Sequence, residues 1–316
     1  MVRSNISLKP YTNYVIGGTA RHFCHAGGFI ELAEAVGFAR KKNLPMFVLG
    51  GGTNVLFGDG AFKGLVVKPD IRFVSAVDAL PETVAVTAGG GTGMDELLSF
   101  CAVRGYSGLE WAGGLPGTVG GAVRGNAGAF GGEMKDALIE AVSFDTGASG
   151  ARIVKRSKSE CAFGYRTSAF KEKAAGEIVL AATFSLVRAA PSAVEGAMQE
   201  KIAWRAARQP LDYPNVGSVF KNVPVEKIPL AIREREDIKS HIKTDPVPVI
   251  PAAFLIDRCG MKGVSCGGAM VSQKHPNFIV NALGAESGHV RQLIALVKHE
   301  VRAEFGIDLE EEIECV

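Results

Sequence analysis

Apolar and polar positions change period repeatedly along the first half of the chain. Between Glu31 and Lys42, Leu32, Ala35, Val36 and Ala39 recur at helical spacing and predict an amphipathic helix. Met46–Leu49 is a short apolar run that predicts a strand, and Leu65–Val67 predicts another. Helix and strands together describe a small α+β unit. Thr83–Thr87 then alternates with β-branched residues, a strand pattern, and Met94–Arg104 reads as a helix. Further strands are expected near Ile139–Phe144, Ala151–Lys155 and Ile178–Val187. Strands outnumber helices in this stretch, so a mixed or antiparallel sheet is expected rather than a doubly wound one.

A helix is predicted from Ser192 to Arg208, followed by segments broken by Pro210, Pro214, Pro224 and Pro229. The last long helix, from Gly288 to Phe305, presents Val290, Leu293, Ile294, Val297 and Val301 on one face. Gly306 stops it, and Ile307, Leu309 and Ile313 predict a closing strand.

Composition narrows the class without naming it. A chain of 316 residues with 22% charged and 47% hydrophobic residues can bury a large core and is long enough for more than one domain. Its formal charge of +2, from 35 basic and 33 acidic residues, leaves no basic field that would argue for nucleic acid. An anionic substrate would need local basic groups. Met1–Tyr14 is polar and broken by Pro10, so no secretion signal is expected. Ile178–Val187, the longest apolar stretch, is about half a membrane span and contains Thr183 and Ser185. It reads as a buried strand, and no membrane insertion is expected. The six cysteines form no CxxC pair and no zinc spacing, which predicts free thiols in a reducing cytoplasm and no metal centre.

Two glycine-rich runs carry the candidate chemistry. Gly50-Gly51-Gly52-Thr53-Asn54 follows an apolar strand directly. Glycines there admit positive φ and close approach of a ligand, and consecutive N–H groups can cradle phosphate oxygens. The Thr53 hydroxyl and the Asn54 amide are expected to add donors. Neither G-x-x-x-x-G-K-[ST] nor a helix-opening G-x-G-x-x-G occurs, which excludes the P-loop and the dinucleotide fingerprint of the doubly wound fold. A tight turn would use the same glycines. The second run, Gly113 through Ala122 with Gly125–Ala129 behind it, sits where the sequence shows no hairpin or cap that needs it. Together the runs favour a dinucleotide cofactor over bare turns.

The ordered series of motifs then resembles a known family. Pro10-Tyr11-Thr12, Ile16-Gly17-Gly18, Gly50–Phe57, Leu115–Ala122 and Gly125–Ala129 are followed by Gly164-Tyr165-Arg166 and Gly217-Ser218-Val219-Phe220-Lys221-Asn222. Lys262-Gly263, Gly267-Gly268-Ala269, Asn277–Asn281 and Phe305–Ile313 complete it. In this order they are similar to the UDP-N-acetylenolpyruvoylglucosamine reductase family across nearly the whole chain. The resemblance implies an α+β fold. Its FAD-binding region has two parts, over 1–70 and 71–203, of the vanillyl-alcohol-oxidase-like (PCMH-type) kind. A substrate-binding α+β domain over 204–316 would follow, with a C-terminal strand returning to the active site.

The resemblance also implies the reaction and its residues. NADPH reduces FAD, which delivers hydride to the enolpyruvyl double bond of a UDP-sugar and yields UDP-N-acetylmuramate, a peptidoglycan precursor. FAD contacts would come from Gly50, Gly51, Gly52, Thr53, Asn54 and Val55 in the first run. The rest would be Gly113, Leu115, Pro116, Gly117, Val119, Gly120, Asn126, Ala127, Gly128 and Val179. Arg166 matches the arginine that binds the enolpyruvyl carboxylate, and Ser218 matches the proton donor. Glu312 matches an acidic residue assisting at the carbanion, with Glu311 and Glu310 as alternatives. The period-two array Asp308, Glu310, Glu312 and Glu314 also reads as a solvated face. Tyr165, Asn222, Lys262 and His275 would contact substrate.

The chain resembles the family's shorter type, without the extra substrate loop after Phe170. Val223–Pro251 is longer than the pattern and reads as a surface excursion or a lid. Two other functions stay open at this point. One is a different FAD-dependent oxidase or dehydrogenase of the same flavin fold, and the other is a nucleotide-binding protein without catalysis.

Overall fold

Residues 1–147, 152–172, 176–244 and 247–316 are described by a computed structural model. They gather into two compact units. Unit 1 comprises Met1–Ile6, Ala20–Gly51 and Lys63–Arg205, and unit 2 comprises Ser7–Thr19, Gly52–Phe62 and Ala206–Val316.

In unit 1 the first helix runs Phe29–Lys41 and buries the expected face, Leu32, Ala35, Val36 and Ala39. That face packs with Cys24, Leu65 and Val67 of a four-stranded sheet ordered Val2–Ser7, Thr19–Ala26, Ala61–Pro69, Met46–Val48. The strand Met46–Val48 lies parallel to Leu65–Val67 and leads into the first glycine run.

A larger sheet follows, and its pairings are all antiparallel, as the strand-rich pattern predicted. Its order is Arg152–Ser157, Leu138–Asp145, Glu177–Arg188, Thr83–Gly89, Val74–Leu80, with Tyr106–Ser107 pairing the far end of Glu177–Arg188. The central strand is the apolar run read as buried, and Ile178, Val179, Leu180, Ala182, Phe184 and Leu186 are buried along it. Of the predicted strand Ala151–Lys155, Ala151 lies outside the described residues. The helix Met94–Arg104 packs Met94, Leu97, Leu98 and Cys101 into the same core and ends at Gly105, in the left-handed conformation.

Unit 2 has its own core. The helix Ser287–Phe305 buries Val290, Leu293, Ile294, Val297, Val301 and Phe305. Beside it stand the strands Ser265–Cys266, Ala269–Val271 and Ile279–Asn281.

The structure corrects one expectation here. Ile307, Leu309 and Ile313 are buried, but 307–313 is not a strand. Its backbone bonds residues 219–221 one at a time, through Glu312 N–H to Val219 O (2.8 Å) and Lys221 N–H to Glu310 O (2.9 Å). A strand forms only at Glu314–Cys315, parallel to Val55–Leu56. Val223–Pro251 is largely exposed but anchored. Its ends pair as Val223–Pro224 with Val249–Ile250, and its helical turns bury Ile238 and lay Arg235 against Asp237 and Glu304. Asp245 and Pro246 lie outside the described residues. No helix among the described residues is long and apolar enough to cross a membrane.

Candidate active site

Gly50 and Gly51 meet the second glycine run inside unit 1. A Cβ on Gly51 would stand 2.7 Å from Gly117 Cα, and one on Gly50 would stand 3.0 Å from Thr118 Oγ1. Side chains at these positions would force the runs apart. The N–H groups of Gly50 through Asn54 make no hydrogen bond among the described residues. Lys68, half-buried, donates from Nζ to Gly50 O at 2.9 Å, and burial pulls its pKa down. Free consecutive N–H groups with a cation beside the run fit a phosphate group.

The second run behaves differently. Thr118 caps a short helix, Val119–Arg124, accepting from Gly121 N–H at 3.3 Å. Val119 and Gly120 donate their N–H groups to Thr92 O and Gly90 O. Gly120 is required because a Cβ there would lie 2.9 Å from Gly90 O, and Gly113 because one would lie 2.6 Å from Met198 O. The run therefore does serve a cap and close packing, against the sequence expectation. Val179 takes part the same way, since a side chain on Gly90 would overlap its carbonyl.

Arg166 sits at the tip of a tight hairpin. Gly164 and Thr167 exchange both backbone hydrogen bonds (3.0 and 3.3 Å), and Arg166 takes φ +57. The tip is held by the region behind the second glycine run. Asn126 Nδ2 donates to Gly164 O at 2.9 Å, Ser168 Oγ donates to Arg124 O at 2.7 Å, and Arg166 Nη2 donates to Gly128 O at 2.9 Å. Tyr165 lies under the guanidinium, 5.3 Å from its ring centroid. Arg166, Tyr165, Asn126 and Gly128 are thus brought together. Asn126 is fully buried, and its Oδ1 accepts from Lys135 N–H at 3.1 Å, so the side chain is engaged within the protein.

In unit 2, Ser218 lies between Gly217 (φ +83) and the buried pair Val219-Phe220. Asn277 fixes this segment from one side, accepting from Phe220 N–H at 3.0 Å and donating to Phe220 O at 2.8 Å, while its own carbonyl accepts from Val219 N–H. The C-terminal chain fixes it from the other, so Glu312 is brought beside Ser218. Lys221 and Lys227 pair with Glu310, and Lys298 pairs with Glu311. Asn54, expected to face phosphate, turns its amide to Glu312 O at 3.0 Å.

The remaining expected contacts are more scattered. Asn222 Oδ1 accepts from Ala252 N–H at 3.2 Å, at the start of the helix Ala252–Arg258. Lys262 is paired with Asp257 at 2.9 Å. His275 is edge-on to Phe278 with its Nδ1 buried and without a partner among the described residues, and burial lowers its pKa. Sequence reasoning missed Lys68 and Asn277. Asn277 lies within the Asn277–Asn281 motif; Lys68 carried no signal beyond being a charged residue in a strand.

Comparisons with known proteins identify the family. Residues 209–316 match the family described as UDP-N-acetylenolpyruvoylglucosamine reductase, C-terminal domain, and residues 29–150 match an FAD binding domain. The chain is 35% identical to the UDP-N-acetylenolpyruvoylglucosamine reductase of Anoxybacillus flavithermus, covering 100% of this chain and 94% of that protein. It is 34% identical to the enzyme of Listeria innocua, covering 100% and 95%. The crystal structure of the Thermus caldophilus enzyme superposes with a TM-score of 0.75 at 29% identity, over 100% of this chain and 99% of that one. Full-length identity above a third, a C-terminal family match and a shared fold leave one conclusion: the chain belongs to the UDP-N-acetylenolpyruvoylglucosamine reductase family.

Proposed function

We propose that Arg166, Ser218 and Glu312 carry the chemistry of this FAD-dependent reductase. The reaction is the reduction by NADPH of UDP-N-acetylglucosamine enolpyruvate to UDP-N-acetylmuramate, a step in peptidoglycan precursor synthesis. Bound FAD supplies the hydride chemistry, with the hydride drawn from NADPH and handed to the enolpyruvyl double bond. Gly50–Val55 and the second run, with Asn126–Gly128 and Val179, would hold it, and the free N–H groups of the first run support that assignment. We assign 1–70 and 71–203 to the flavin and 204–316 to the sugar, with the cytoplasm as the place of action.

Hydride addition leaves an electron pair on the carbon next to the substrate carboxylate. The Arg166 guanidinium is a planar fork that stays charged and matches a carboxylate, so it binds the anion and spreads the developing charge. Ser218 Oγ supplies the proton that quenches the carbanion. Glu312 assists at Ser218, and Tyr165, Asn222, Lys262 and His275 contact the nucleotide sugar. The observation that carries this reading is the 2.8 Å bond from Glu312 N–H to Val219 O, which keeps Glu312 beside the serine's segment.

The test is NADPH consumption by the FAD-loaded protein with UDP-N-acetylglucosamine enolpyruvate; no turnover with flavin bound would sink the assignment. Ser218→Ala should keep flavin reduction by NADPH and slow the sugar half-reaction by about 10²–10⁴-fold, the usual scale for a positioned acid. Two normal half-reactions in that variant would remove Ser218 as donor.

A further inference from the structure

Arg205 is an unusual residue for the interior of unit 1. It is 7% exposed, near the end of the helix Pro191–Arg208. Its Nε donates to Gly113 O at 2.8 Å, at the head of the second glycine run. Its Nη2 is buried with no hydrogen-bond partner, and it joins no ion pair among the described residues. A guanidinium taken out of water with a donor left unmade carries a desolvation cost that packing alone would not select, since Met or Leu would fill the same volume without it.

The surroundings deepen the mismatch. Arg205 Cζ stands 5.3 Å from the ring centroid of Phe130, and Lys201 Nζ stands 5.5 Å from the same ring. Phe130 caps a hairpin of Gly128–Ala129 and Gly132–Glu133, and the other side of that hairpin, Gly128 O, receives Arg166. The charge acting on Arg205 is that of Arg166, another cation; burial and this repulsion both lower the pKa of Arg205. Two guanidinium groups therefore flank one hairpin, whose own carboxylate, Glu133, pairs with Lys135. Space has also been made for the side chain, because a Cβ on Gly114 would lie 3.1 Å from Arg205 Cδ.

We propose that Arg205 is a second anion-binding guanidinium that acts with Arg166, its Nη2 taking a carboxylate or phosphate oxygen of the bound ligand. The bond to Gly113 O fixes the plane of the fork, so the residue arrives oriented rather than as a mobile charge. The proposal rests on the reductase reading for the identity of the ligands, whose anionic groups are the enolpyruvyl carboxylate and the diphosphates of the UDP-sugar and FAD.

The experiment compares the parent with Arg205→Met and Arg205→Lys in three titrations. FAD is added to flavin-free protein and followed by flavin fluorescence. UDP and UDP-N-acetylglucosamine enolpyruvate are each added to the FAD-loaded protein and followed by the flavin absorbance spectrum. Arg205→Met should weaken at least one ligand by about tenfold or more, with Arg205→Lys between it and the parent because the charge remains but the fork is lost. Loss confined to the enolpyruvyl ligand names the carboxylate, equal loss for UDP names its diphosphate, and loss for FAD names the flavin diphosphate. All three affinities within about twofold of the parent in Arg205→Met, whatever happens to its melting temperature, overturn the proposal and leave Arg205 as a brace for Gly113. Should the Met variant fail to fold, the same criterion applied to Arg205→Lys decides. A parent that holds FAD yet consumes no NADPH with the sugar overturns the reductase reading instead, while the FAD and UDP titrations still judge Arg205.

Discussion

Each glycine run is tied to a candidate catalytic residue through an asparagine, but the two ties are built differently. Behind the second run, Asn126 is fully buried, adopts φ +42, and joins Gly164 O and Lys135 N–H to hold the hairpin that carries Arg166. In the first run, Asn54 is exposed and reaches Glu312 O with a single amide bond. The N–H groups reverse the contrast: those of Gly50–Asn54 make no hydrogen bond among the described residues, whereas Val119, Gly120 and Gly121 are satisfied internally. Glycine density alone thus has two meanings. In the first run it leaves backbone donors available to a ligand; in the second it lets the protein's own strands and helices approach.

The largest consequence falls on the buried tie. Asn126→Ala deletes two part-buried hydrogen bonds, strands Lys135 N–H, leaves Gly164 O only the 3.3 Å bond from Thr167, and puts a Cβ-bearing residue without a polar side chain at positive φ. A loss of about 3 kcal/mol is expected from the lost bonds and the backbone strain. Freed from its anchor, the Arg166 hairpin should also lower kcat/KM by about 10–100-fold, as misplacement of a positioned group does. Urea melts and steady-state kinetics check both. A variant with parental stability would mean that the asparagine is dispensable and the contrast between the ties is empty.

The second expected effect separates packing from ligand contact within one run. Gly120→Ala drives a Cβ to 2.9 Å from Gly90 O, main chain that cannot swing aside, and should cost about 2 kcal/mol. Its neighbour Gly121 meets only Thr118 Oγ1 at 3.4 Å, and in the helix Val119–Arg124 an alanine there should be neutral or add about 0.5 kcal/mol. Thermal melts of both variants, with and without FAD, read the difference. Equal destabilisation would show that the close approach to Gly90 is not what requires glycine.

These contrasts explain what the sequence could and could not yield. Periodicity located the helices Phe29–Lys41, Met94–Arg104 and Ser287–Phe305 because each buries a stripe that repeats at 3.6 residues, and it found the central strand by its apolar run. It gave a false strand at 307–313, where alternating burial comes from single bonds to residues 219–221, and alternation is the same in either case. The N-terminal strands Val2–Ser7 and Thr19–Ala26 were missed because both are rich in polar residues. At the candidate site, ordered motifs singled out Arg166, Ser218 and Glu312 as candidates. The role of Asn126 as an internal brace was not legible, because a buried amide and a ligand-facing amide have one letter between them. Lys68 and Arg205 depend on burial and on which neighbours lack partners, which no one-dimensional pattern encodes.

The smallest effect probes the segment that follows the first run, where the ties rest on exposed charge. Asp59 accepts from Ser287 N–H at 3.0 Å and from Ser287 Oγ at 2.6 Å, at the first turn of the helix Ser287–Phe305. Burial works to raise its pKa, but the hydrogen bonds from Ser287 and Gly288 outweigh it, with Lys9 adding, and the carboxyl lies below its ordinary value. A carboxylate depressed in the folded state contributes stability that is complete above its unfolded pKa of about 4 and is lost as pH falls through the lower folded value. Asp59→Asn should therefore cost about 1 kcal/mol at pH 7, the scale of a cap bond with a helix dipole. That gap should hold down to about pH 5 and narrow only below about pH 4, where the parent's own carboxylate becomes protonated. Urea melts of both proteins at pH 7, 5 and 3.5 would follow it. A gap independent of pH would mean that the geometry of the hydrogen bonds, not the charge, secures this end of the helix, and the first run's ties would then differ from Asn126 in exposure alone.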